Sequence, residues 1–516
     1  MRRLLLVFAA AVALYLPTVR YDFVQDDRGI IVKNPAAQSL GAALRAFDDP
    51  YWPEPSQAGL YRPVTILSYA VDWSVSGGRP GWFHIVNALW HGLATVLVAL
   101  VLGRWLPPVG ATAAALVFAV HPVHVEGVAS IVSRAELLAA VGMLGSVLAA
   151  RRRQWVLAVA CATAAMFSKE HGVATGVLIL LDDWLQGREG RRYPIGFYLA
   201  LGAVTAGFLG VWWHVGREAT GDMAPAFRGV GAGGRLAVAL PAVWRAAGLL
   251  LWPADLSADY NPQVIPVREG LSLAAVGGAV VVAGVPLLAV WCRRRAPAVA
   301  LGACVATVAY LPTSNLLFAS GVVLAERNLY LAVLLVAAAA GTGAVWAANR
   351  WGVRRAALAV GVIGLALAAR SWLRLPVWES NKSLVLVTLT EHPEAYRARV
   401  WAAAVLAGMG DTAGARAQYA IAGELFDRDP YLDAARASYL MGLGDTSTAA
   451  PLIARARRAE PRDPFALRAH LLLLRSRGEL AGARALADSA LGWFPADAAF
   501  YRKFLQSLTP KLRPAR

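Results

Sequence analysis

The chain has 516 residues, of which 58% are hydrophobic and only 16% are charged. A soluble globular protein usually carries about 25% charged residues, so the composition excludes an ordinary soluble enzyme and indicates a polytopic membrane protein. The formal net charge is +17, but many of the basic residues form short clusters between apolar runs. Such clusters set the orientation of membrane spans, which makes nucleic-acid binding a weak explanation of the charge.

About eleven apolar segments are predicted to span the membrane. They lie near residues 4–20, 84–102, 110–121, 134–150, 155–168, 171–185, 195–213, 271–291, 298–314, 329–348 and 356–372. Basic clusters occupy every second gap: Arg2/Arg3, Arg104, Arg151–Arg153, Arg188/Arg191/Arg192, Arg293–Arg295 and Arg350/Arg354/Arg355. By the positive-inside rule these gaps and the N-terminus are cytoplasmic. The other gaps, and everything after about residue 373, are predicted to face outward.

The opening MRRLLLVFAAAVALYLP has the basic start and length of a signal peptide, but no clear cleavage site precedes YDFVQDD. We interpret it as an uncleaved first span. The first outward loop, about residues 21–83, begins with the adjacent carboxylates Asp26 and Asp27. Adjacent like charges resist burial. They either lie in water near Arg28 and Lys33, or meet cations supplied by the other outward gaps.

Other polar residues share the outward side. Arg62 lies in the first loop, and the run FHIVNALWH places His84 and Asn87 on one face of a helix. The next outward gap, HPVHVEGVASIVSRAELL, carries the polar residues His121, His124, Glu126, Arg134 and Glu136. Its His–x–x–His–x–Glu spacing suggests a metal site, but no second ligand cluster is evident. A hydrogen-bonded turn that joins two spans is the alternative.

Two later gaps combine a cation with a carboxylate. SKEH contains Lys169 and Glu170, and AERNLYL contains Glu326 and Arg327. Charges at the membrane boundary are costly unless they are paired or functional. They form mutual ion pairs in one interpretation and bind a lipid phosphate in the other. The segment 235–252, between these gaps, does not fit the alternation as a span and is predicted to be a re-entrant or interfacial helix.

The C-terminal part, residues 393–510, is predicted to be a repeat domain. Gly410-Asp411, Gly444-Asp445 and Gly478-Glu479 recur at an interval of 34 residues, and so do Asp429-Pro430 with Asp463-Pro464 and Pro461 with Pro495. Paired helices with this period are typical of tetratricopeptide repeats, which stack into a concave surface that binds peptides or proteins. A generic helical bundle is the alternative.

The cations and carboxylates on one membrane side suit a reaction with an anionic, phosphate-bearing donor. A carboxylate deprotonates a hydroxyl acceptor, and cations stabilise the departing phosphate.

Free thiols are predicted at Cys161, Cys292 and Cys304, which follow no disulfide or metal spacing. Nucleotide-binding and serine-hydrolase motifs are absent from the sequence.

Six stretches in order resemble the transmembrane and tetratricopeptide-repeat O-mannosyltransferase family of the GT-C glycosyltransferases. They are FVQDDRGIIVKN, YRPVTILSYAVDW, GWFHIVNALWHGLA, FAVHPVHVEGVASIVSRAELLA, MFSKEHGV and LAERNLYL, and a repeat array follows the last span. Gln25 departs from the aromatic or apolar residue that the family more often has before the paired aspartates. The Ala/Arg/Gly-rich composition suggests a bacterial member. The sugar of such a member need not be the mannose of the animal proteins, and its acceptor need not be their Ser or Thr side chain.

The resemblance implies an all-helical GT-C-like catalytic domain over 1–375, followed by the repeats. It implies transfer of mannose or another hexose from a polyprenyl phosphate to an extracytoplasmic acceptor, with inversion. Asp26 or Asp27 is then the base. The donor phosphate is assigned to Lys169, Arg327, Arg62 and Arg134, and the pocket to His121, His124, Glu126, Glu170, His84, Asn87 and Glu326. No cofactor is implied with certainty, and a divalent metal stays open.

Implied partners are the lipid-linked sugar and a protein or peptide acceptor bound by the repeats. The implied location is a bacterial inner membrane with extracytoplasmic repeats.

Three alternative functions remain. A lipid-linked glycan ligase or polymerase usually has its key residues in a large late loop, whereas here the acidic pair is in the first. A membrane-anchored scaffold would not need Asp26, Asp27 or Lys169. A transporter would place charges at mid-membrane, and ranks last.

Overall fold

The computed structural model describes residues 1–53, 59–187, 193–216, 223–266, 272–494 and 497–508. The regular elements in these ranges are helices, so the predicted all-helical fold class is confirmed. Several residues used in the sequence analysis lie outside the described ranges: Arg188, Arg191, Arg192, Pro495 and residues 509–510.

The first part of the chain forms a bundle of long helices joined by short helices and loops. Its α-helices are α1 (Arg2–Tyr15), α2 (Pro35–Gln38), α3 (Leu40–Ala43), α4 (Pro63–Ser76), α5 (Pro80–Leu102), α6 (Pro108–Val120), α7 (His124–Ala129), α8 (Arg134–Arg151), α9 (Trp155–Ser168), α10 (Thr175–Gln186), α11 (Ile195–Gly216), α12 (Ala232–Leu251), α13 (Leu273–Cys292), α14 (Pro297–Tyr310), α15 (Val333–Trp351) and α16 (Val353–Arg374). Each of the predicted spans coincides with one of these helices.

Eight helical stretches of the described residues are long and apolar enough to cross a membrane, so the chain is a multi-pass membrane protein. They are Arg2–Arg20, Pro80–Leu102, Ile131–Arg151, Ile195–Gly216, Ala232–Leu251, Leu273–Cys292, Val333–Trp351 and Val353–Trp378. Three further predicted spans form shorter apolar helices, Pro108–Val120, Trp155–Ser168 and Pro297–Thr313. The number of full-length spans is therefore smaller than the sequence predicts, because several apolar segments form short helices.

Small residues allow the helices of the bundle to pack closely. A Cβ atom added to Gly142 on α8 would lie 2.7 Å from the carbonyl oxygen of Cys161 on α9. One added to Gly341 on α15 would lie 2.6 Å from the carbonyl oxygen of Gly110 on α6. In lipid, helices associate largely through such close packing, because there is little hydrophobic gain in bringing apolar helices together. A side chain at either glycine would push two helices apart.

Four outward gaps meet at one end of the bundle, which we call the site face. It is formed by the segments 21–34, 121–133, 168–174 and 325–330, which are joined by hydrogen bonds and ion pairs described below. By the positive-inside rule all four segments are predicted to lie on the same side of the membrane. The structure therefore brings together in space the polar gaps that the topology prediction placed on one side.

The helix α12 covers the segment that the sequence predicts to be re-entrant or interfacial. Its length and composition would also allow it to cross a membrane. Its C-terminal end contacts the site face, and its N-terminal end contacts the loop that leads into it. Arg235 donates to the carbonyl oxygen of Leu316, in the loop leading to segment 325–330, at 3.2 Å, and the carbonyl oxygen of Leu250 lies 3.1 Å from His121 Nε2. Two ends near one face favour the interfacial interpretation, which stays a prediction.

The C-terminal part consists of α17 (Asn381–Glu391), α18 (Tyr396–Gly408), α19 (Thr412–Leu425), α20 (Pro430–Gly442), α21 (Thr446–Ala459), α22 (Pro464–Ser476), α23 (Leu480–Trp493) and α24 (Ala498–Ser507). The recurring glycines end one helix and the acidic residue after them begins the next. Gly444, at φ 77°, adopts the left-handed conformation that glycine tolerates best, and the Asp445 side chain then accepts the backbone N–H of Thr448 at 3.2 Å. The helix pairs thus follow the interval seen in the sequence.

The segment that leads into the repeats and the first repeat itself both contact the bundle. The backbone N–H of Asp22 donates to the carbonyl oxygen of Glu379 at 3.0 Å, and that of Gln25 donates to the side chain of Asn381 at 2.8 Å. On the opposite edge, Gln263 donates to the carbonyl oxygen of Leu425 at 2.6 Å. These contacts place the start of α17 beside the two aspartates of the first loop, and the first repeat beside the loop after α12.

Candidate active site

The structure separates the roles of the two adjacent aspartates. Asp27 is buried, at 1% exposure, and its carboxylate accepts the backbone N–H groups of Val24 at 2.9 Å and Val132 at 2.8 Å. Burial raises the pKa of Asp27 to about 7, although these backbone hydrogen bonds lower it in part. Asp27 therefore ties the first loop to the segment before α8 and is not accessible to a substrate.

Asp26 is the exposed aspartate of the pair. Its side chain keeps accessible surface, but the surrounding protein displaces most of the bulk water. This desolvation raises its pKa, while the charges of Arg327, Arg397 and Arg62 lower it and that of Glu126 raises it further. Asp26 is thus an accessible carboxylate among several cations.

Arg62 is held on one side of this site by a bidentate ion pair. Its Nη2 donates to Glu170 Oε2 at 2.8 Å and its Nε donates to Glu170 Oε1 at 3.1 Å, and the backbone N–H of Tyr61 adds a bond of 3.1 Å to Glu170 Oε1. Burial acts to raise the pKa of Glu170, but the charge and hydrogen bonds of Arg62 hold it below its usual range. Glu170 therefore pairs with Arg62, which is 108 residues away, and not with its neighbour Lys169.

Arg327 is held from the segment 121–133. Its backbone N–H donates to Glu126 Oε2 at 2.9 Å, and its guanidinium forms an ion pair with Glu126 Oε1. The Glu126 side chain is only 2% exposed, whereas that of Arg327 is 30% exposed. The Glu126 carboxylate is therefore buried in its pair with Arg327, whereas part of the Arg327 side chain remains exposed at the site face. The sequence predicts a local pair of Glu326 with Arg327 instead, because it cannot show the partner on another loop.

Lys169 lies deeper than Arg327. Its ammonium group forms an ion pair with Glu136 and lies 3.2 Å from the side-chain oxygen of Asn328. Burial lowers the pKa of Lys169, and the positive charges of Arg62 and Arg327 lower it further. Three cations thus lie close enough to affect one another's charge, which is a suitable environment for an anion.

Arg134 lies apart from this group. It is fully buried and forms an ion pair with Asp72 at 2.5 Å, with further hydrogen bonds to Asn87 at 2.7 Å and to the carbonyl oxygen of Phe83 at 3.0 Å. Its guanidinium also lies 4.9 Å from the centre of the Tyr69 ring. A lipid phosphate cannot reach it, so the prediction that Arg134 contacts the donor does not fit its position. It joins α4, α5 and α8 beneath the site.

The predicted pocket histidines support the loops of the site face. His121 Nε2 contacts the carbonyl oxygen of Leu250, and His124 Nε2 lies 3.0 Å from that of Tyr330. His84 is buried beside the ring of Tyr21, and Asn87 donates to the carbonyl oxygens of the turn before α8. No three His, Cys, Asp or Glu side chains of the described ranges come together as metal ligands would. These residues are buried, and their role in a substrate pocket stays a prediction.

Glu326 connects the site to the loop after α12. It accepts hydrogen bonds from the Tyr260 hydroxyl and from the backbone N–H of Ser257, each at 2.8 Å. Burial raises the pKa of Glu326 to about 7. This loop, with Asp259 and Asn261, was not predicted from the sequence. The dense polar run SADYN directly after an apolar helix was the available signal.

Arg397 was also missed. It lies in the first turn of α18, and nothing in the sequence distinguishes it from the many surface arginines of the repeats. Its proximity to Asp26 depends on how the repeats are docked on the bundle, which only the structure shows.

Comparison with known proteins identifies similar chains. A Caenorhabditis elegans protein O-mannosyl-transferase, F38B6.6, is 30% identical over 349 residues, which cover 64% of this chain and 49% of the relative. The mouse protein O-mannosyl-transferase TMTC4 is 29% identical over 459 residues, covering 72% of this chain and 59% of the relative. The chain is a homologue of the TMTC protein O-mannosyl-transferases. The predicted family resemblance is confirmed.

The human protein O-mannosyl-transferase TMTC1 shows a similar match, with 28% identity over 387 residues, 63% of this chain and 44% of the relative. The chain therefore spans only about half the length of these TMTC relatives. No family model matches it, and comparison with solved structures gives no significant match.

Proposed function

We propose that the chain is a membrane glycosyltransferase that moves a sugar from a polyprenyl-phosphate donor to a hydroxyl group of a protein acceptor. The observation that carries this proposal is the accessible Asp26 carboxylate among the cations Arg62 and Arg327, at one end of a membrane bundle. The names of the TMTC relatives support transfer of mannose, and mannose or another hexose is the proposed sugar.

In the proposed reaction Asp26 is the general base. The acceptor hydroxyl oxygen attacks the anomeric carbon as its proton passes to Asp26, and the bond from that carbon to the donor's phosphate oxygen breaks. The electron pair of this bond leaves with the polyprenyl phosphate. A single displacement of this kind inverts the anomeric centre and needs no protein nucleophile. The raised pKa of Asp26 makes its carboxylate a better proton acceptor than an ordinary aspartate.

Arg327 and Lys169 are the proposed partners of the departing phosphate. Arg327 exposes part of its guanidinium, and Lys169 lies behind it with its ammonium group held by Glu136. Preorganised cations stabilise charge that develops in the transition state, because they need no reorientation during the reaction. Glu126 and Glu170 would act as positioning residues for Arg327 and Arg62. We place the site face outside the cytoplasm, in the inner membrane of a bacterium.

The test uses the purified full chain in detergent with a panel of polyprenyl-phosphate sugars, and measures release of polyprenyl phosphate. Asp26→Asn is expected to lower turnover by roughly 10²–10⁴-fold, the usual contribution of a general base. The matched control is Asp22→Asn, since Asp22 is an exposed acid in the same loop that pairs with Arg28. It should leave turnover unchanged.

Full turnover by Asp26→Asn would refute the assignment of the base. Absence of turnover with every donor, in the presence of acceptor peptides, would favour the scaffold interpretation instead. Asp27→Asn should keep more activity than Asp26→Asn, because Asp27 acts through backbone hydrogen bonds that an amide oxygen can make in part.

A further inference from the structure

A cavity of about 310 Å³ lies between the loop before α6, the loop before α14 and the last turns of α15. Helix α6 begins beside this cavity and ends next to His121 of the site face. Helix α15 runs the other way, from the segment 325–330 of the site face to the cavity. The cavity therefore lies at the opposite end of the bundle, which the positive-inside rule predicts to face the cytoplasm. The proposed reaction makes no use of it.

The cavity lies beside one long helix, where two short helices begin. Thr342, Val345, Trp346 and Asn349 of α15 line it, and residues three or four positions apart share one face of a helix. The two short helices, α6 and α14, have only 13 and 14 residues, whereas a straight membrane span needs about 20. The Trp346 side chain is 59% exposed, so the cavity opens to the surface of the bundle.

Tryptophan side chains indicate the depth of the cavity in the membrane. Trp105 and Trp346 line it, and the ring of Trp351 packs against that of Trp346 with centres 5.0 Å apart. Tryptophan is enriched where a membrane meets water, because its ring is apolar and its N–H group is polar. The cavity is therefore placed at the level of the lipid head groups.

The charge of the cavity is positive. Among the described residues that line it, Arg295 alone is charged, and this side chain is exposed. Its Nη1 donates to the carbonyl oxygen of Trp291 at 3.1 Å, and its guanidinium lies 5.1 Å from the centre of the Trp291 ring. The segments that form the cavity, 104–120, 293–313 and 333–355, contain no Asp or Glu. No carboxylate of these segments competes with a bound anion for Arg295.

We propose that this cavity binds the head group of an anionic phospholipid, with the lipid phosphate on Arg295 and an acyl chain along α15. Basic pockets between membrane helices at the cytoplasmic surface suit such head groups. Small-ligand cavities measure about 300–1,000 Å³, so this one holds a head group and not a whole lipid. The inference does not rest on the proposed function, since it concerns the other end of the bundle.

The lining distinguishes this lipid from other anions and lipids. Leu106, Val345 and Trp346 give the cavity apolar walls, which a free phosphate ion would not use. A zwitterionic lipid carries an ammonium group beside its phosphate, and the cationic Arg295 repels that group. The amide of Asn349 offers both a donor and an acceptor to a head-group hydroxyl.

The test measures lipid binding to the purified full chain in a neutral detergent by native mass spectrometry. Dioleoyl phosphatidylglycerol is compared with dioleoyl phosphatidylcholine, which has the same chains and a zwitterionic head group. The unmodified chain should bind the anionic lipid more tightly. Arg295→Gln is expected to raise the Kd for phosphatidylglycerol roughly fivefold, which is about 1 kcal/mol. The matched control Arg294→Gln removes the same charge one position away, outside the lining, and should change this Kd little.

A second pair of variants tests whether the cavity itself holds the lipid. Thr342→Phe places a ring in the cavity without changing the charge, and it should abolish the preference for phosphatidylglycerol. The control is Gly343→Phe, at the next position of α15, where an added Cβ would meet nothing within 4 Å. It should keep the preference. Loss of the preference in both variants would overturn the placement in the cavity.

Thermal unfolding gives a readout that does not depend on mass spectrometry. A ligand that binds the folded state raises Tm, so phosphatidylglycerol should raise the Tm of the unmodified chain and of Arg294→Gln more than that of Arg295→Gln. Equal affinity of the unmodified chain for the two lipids would overturn the inference. Unchanged phosphatidylglycerol binding in both Arg295→Gln and Thr342→Phe would do so too. Displacement of the lipid by millimolar inorganic phosphate would show a site for free anions instead.

Discussion

Charged residues act over very different sequence distances in the repeats and at the site face. In the repeats, Asp411 accepts the backbone N–H of Gly414, three residues further on, at 2.8 Å. At the site face, Glu126 holds Arg327, which is 201 residues away, and Arg62 holds Glu170 across 108 residues. Helix caps depend on neighbouring residues, whereas ion pairs between loops depend on the packing of the whole bundle. The comparison predicts larger effects for changes at and beneath the site face than for changes in the repeats.

The largest loss of stability is expected from Arg134→Gln. Removal of the Arg134 guanidinium leaves the Asp72 carboxylate, which is 4% exposed, without its cation. Breaking a buried ion pair in this way typically costs about 3–5 kcal/mol. Thermal unfolding in detergent, together with the yield of folded protein, measures the change. Arg28→Gln is the matched control. It removes an exposed ion pair, with both side chains more than half exposed, and should cost less than about 1 kcal/mol. Equal losses would contradict the comparison.

The next largest effect is expected on activity, from Arg327→Gln. Loss of one preorganised charge at a leaving group usually lowers turnover by roughly 10²–10³-fold. Arg327→Gln also leaves the buried Glu126 carboxylate without its cation, so a loss of stability is expected as well, and thermal unfolding of the same samples separates it from the loss of turnover. Arg327→Lys should recover part of the turnover, because it restores the charge without the fork geometry. Turnover unaffected by Arg327→Gln would remove this residue from the phosphate site.

A smaller effect is expected on the pH dependence of stability. The folded-state pKa of Asp27 is raised from 3.8 to about 7, so the folded protein holds this proton more tightly than the unfolded chain. Its contribution to stability is therefore fully present below the unfolded pKa and is lost as pH rises through the folded pKa. In Asp27→Asn the difference in Tm between about pH 4 and pH 7 should shrink by roughly a few degrees. An unchanged pH profile would show that Asp27 does not titrate in this range.

The smallest effect is expected in the repeats, from Gly444→Ala. At φ 77° an alanine side chain is strained, which costs about 1 kcal/mol. Faster hydrogen exchange of α20 and α21 in the full chain would report the loss. Gly442→Ala, at the end of the same helix where an added Cβ would meet nothing within 4 Å, should instead slow exchange slightly. If Gly444→Ala lowered stability as much as Arg134→Gln, the contrast between the two regions would not hold.

Much of the fold was predictable because its signals are local. Apolar segments placed the helices of the bundle, and the recurring Gly-Asp pairs placed the helix ends of the repeats. The site was predictable in part. Asp26, Arg62, Lys169 and Arg327 were identified as unusual polar residues on one membrane side. Arg134 was grouped with them because its position next to a turn looks the same in sequence as that of an exposed cation.

The sequence by itself determined the membrane class, the order of the helices and the set of polar loops, since hydropathy, helix capping and charge clusters act over short stretches of chain. Only the tertiary structure decided which of the two adjacent aspartates is accessible, which carboxylate holds which cation, and that Arg397 of the first repeat is close enough to Asp26 to affect its charge. The physical reason is that burial and ion pairing depend on distances through space. Residues next to each other in the chain, such as Asp26 and Asp27, can therefore lie in different environments.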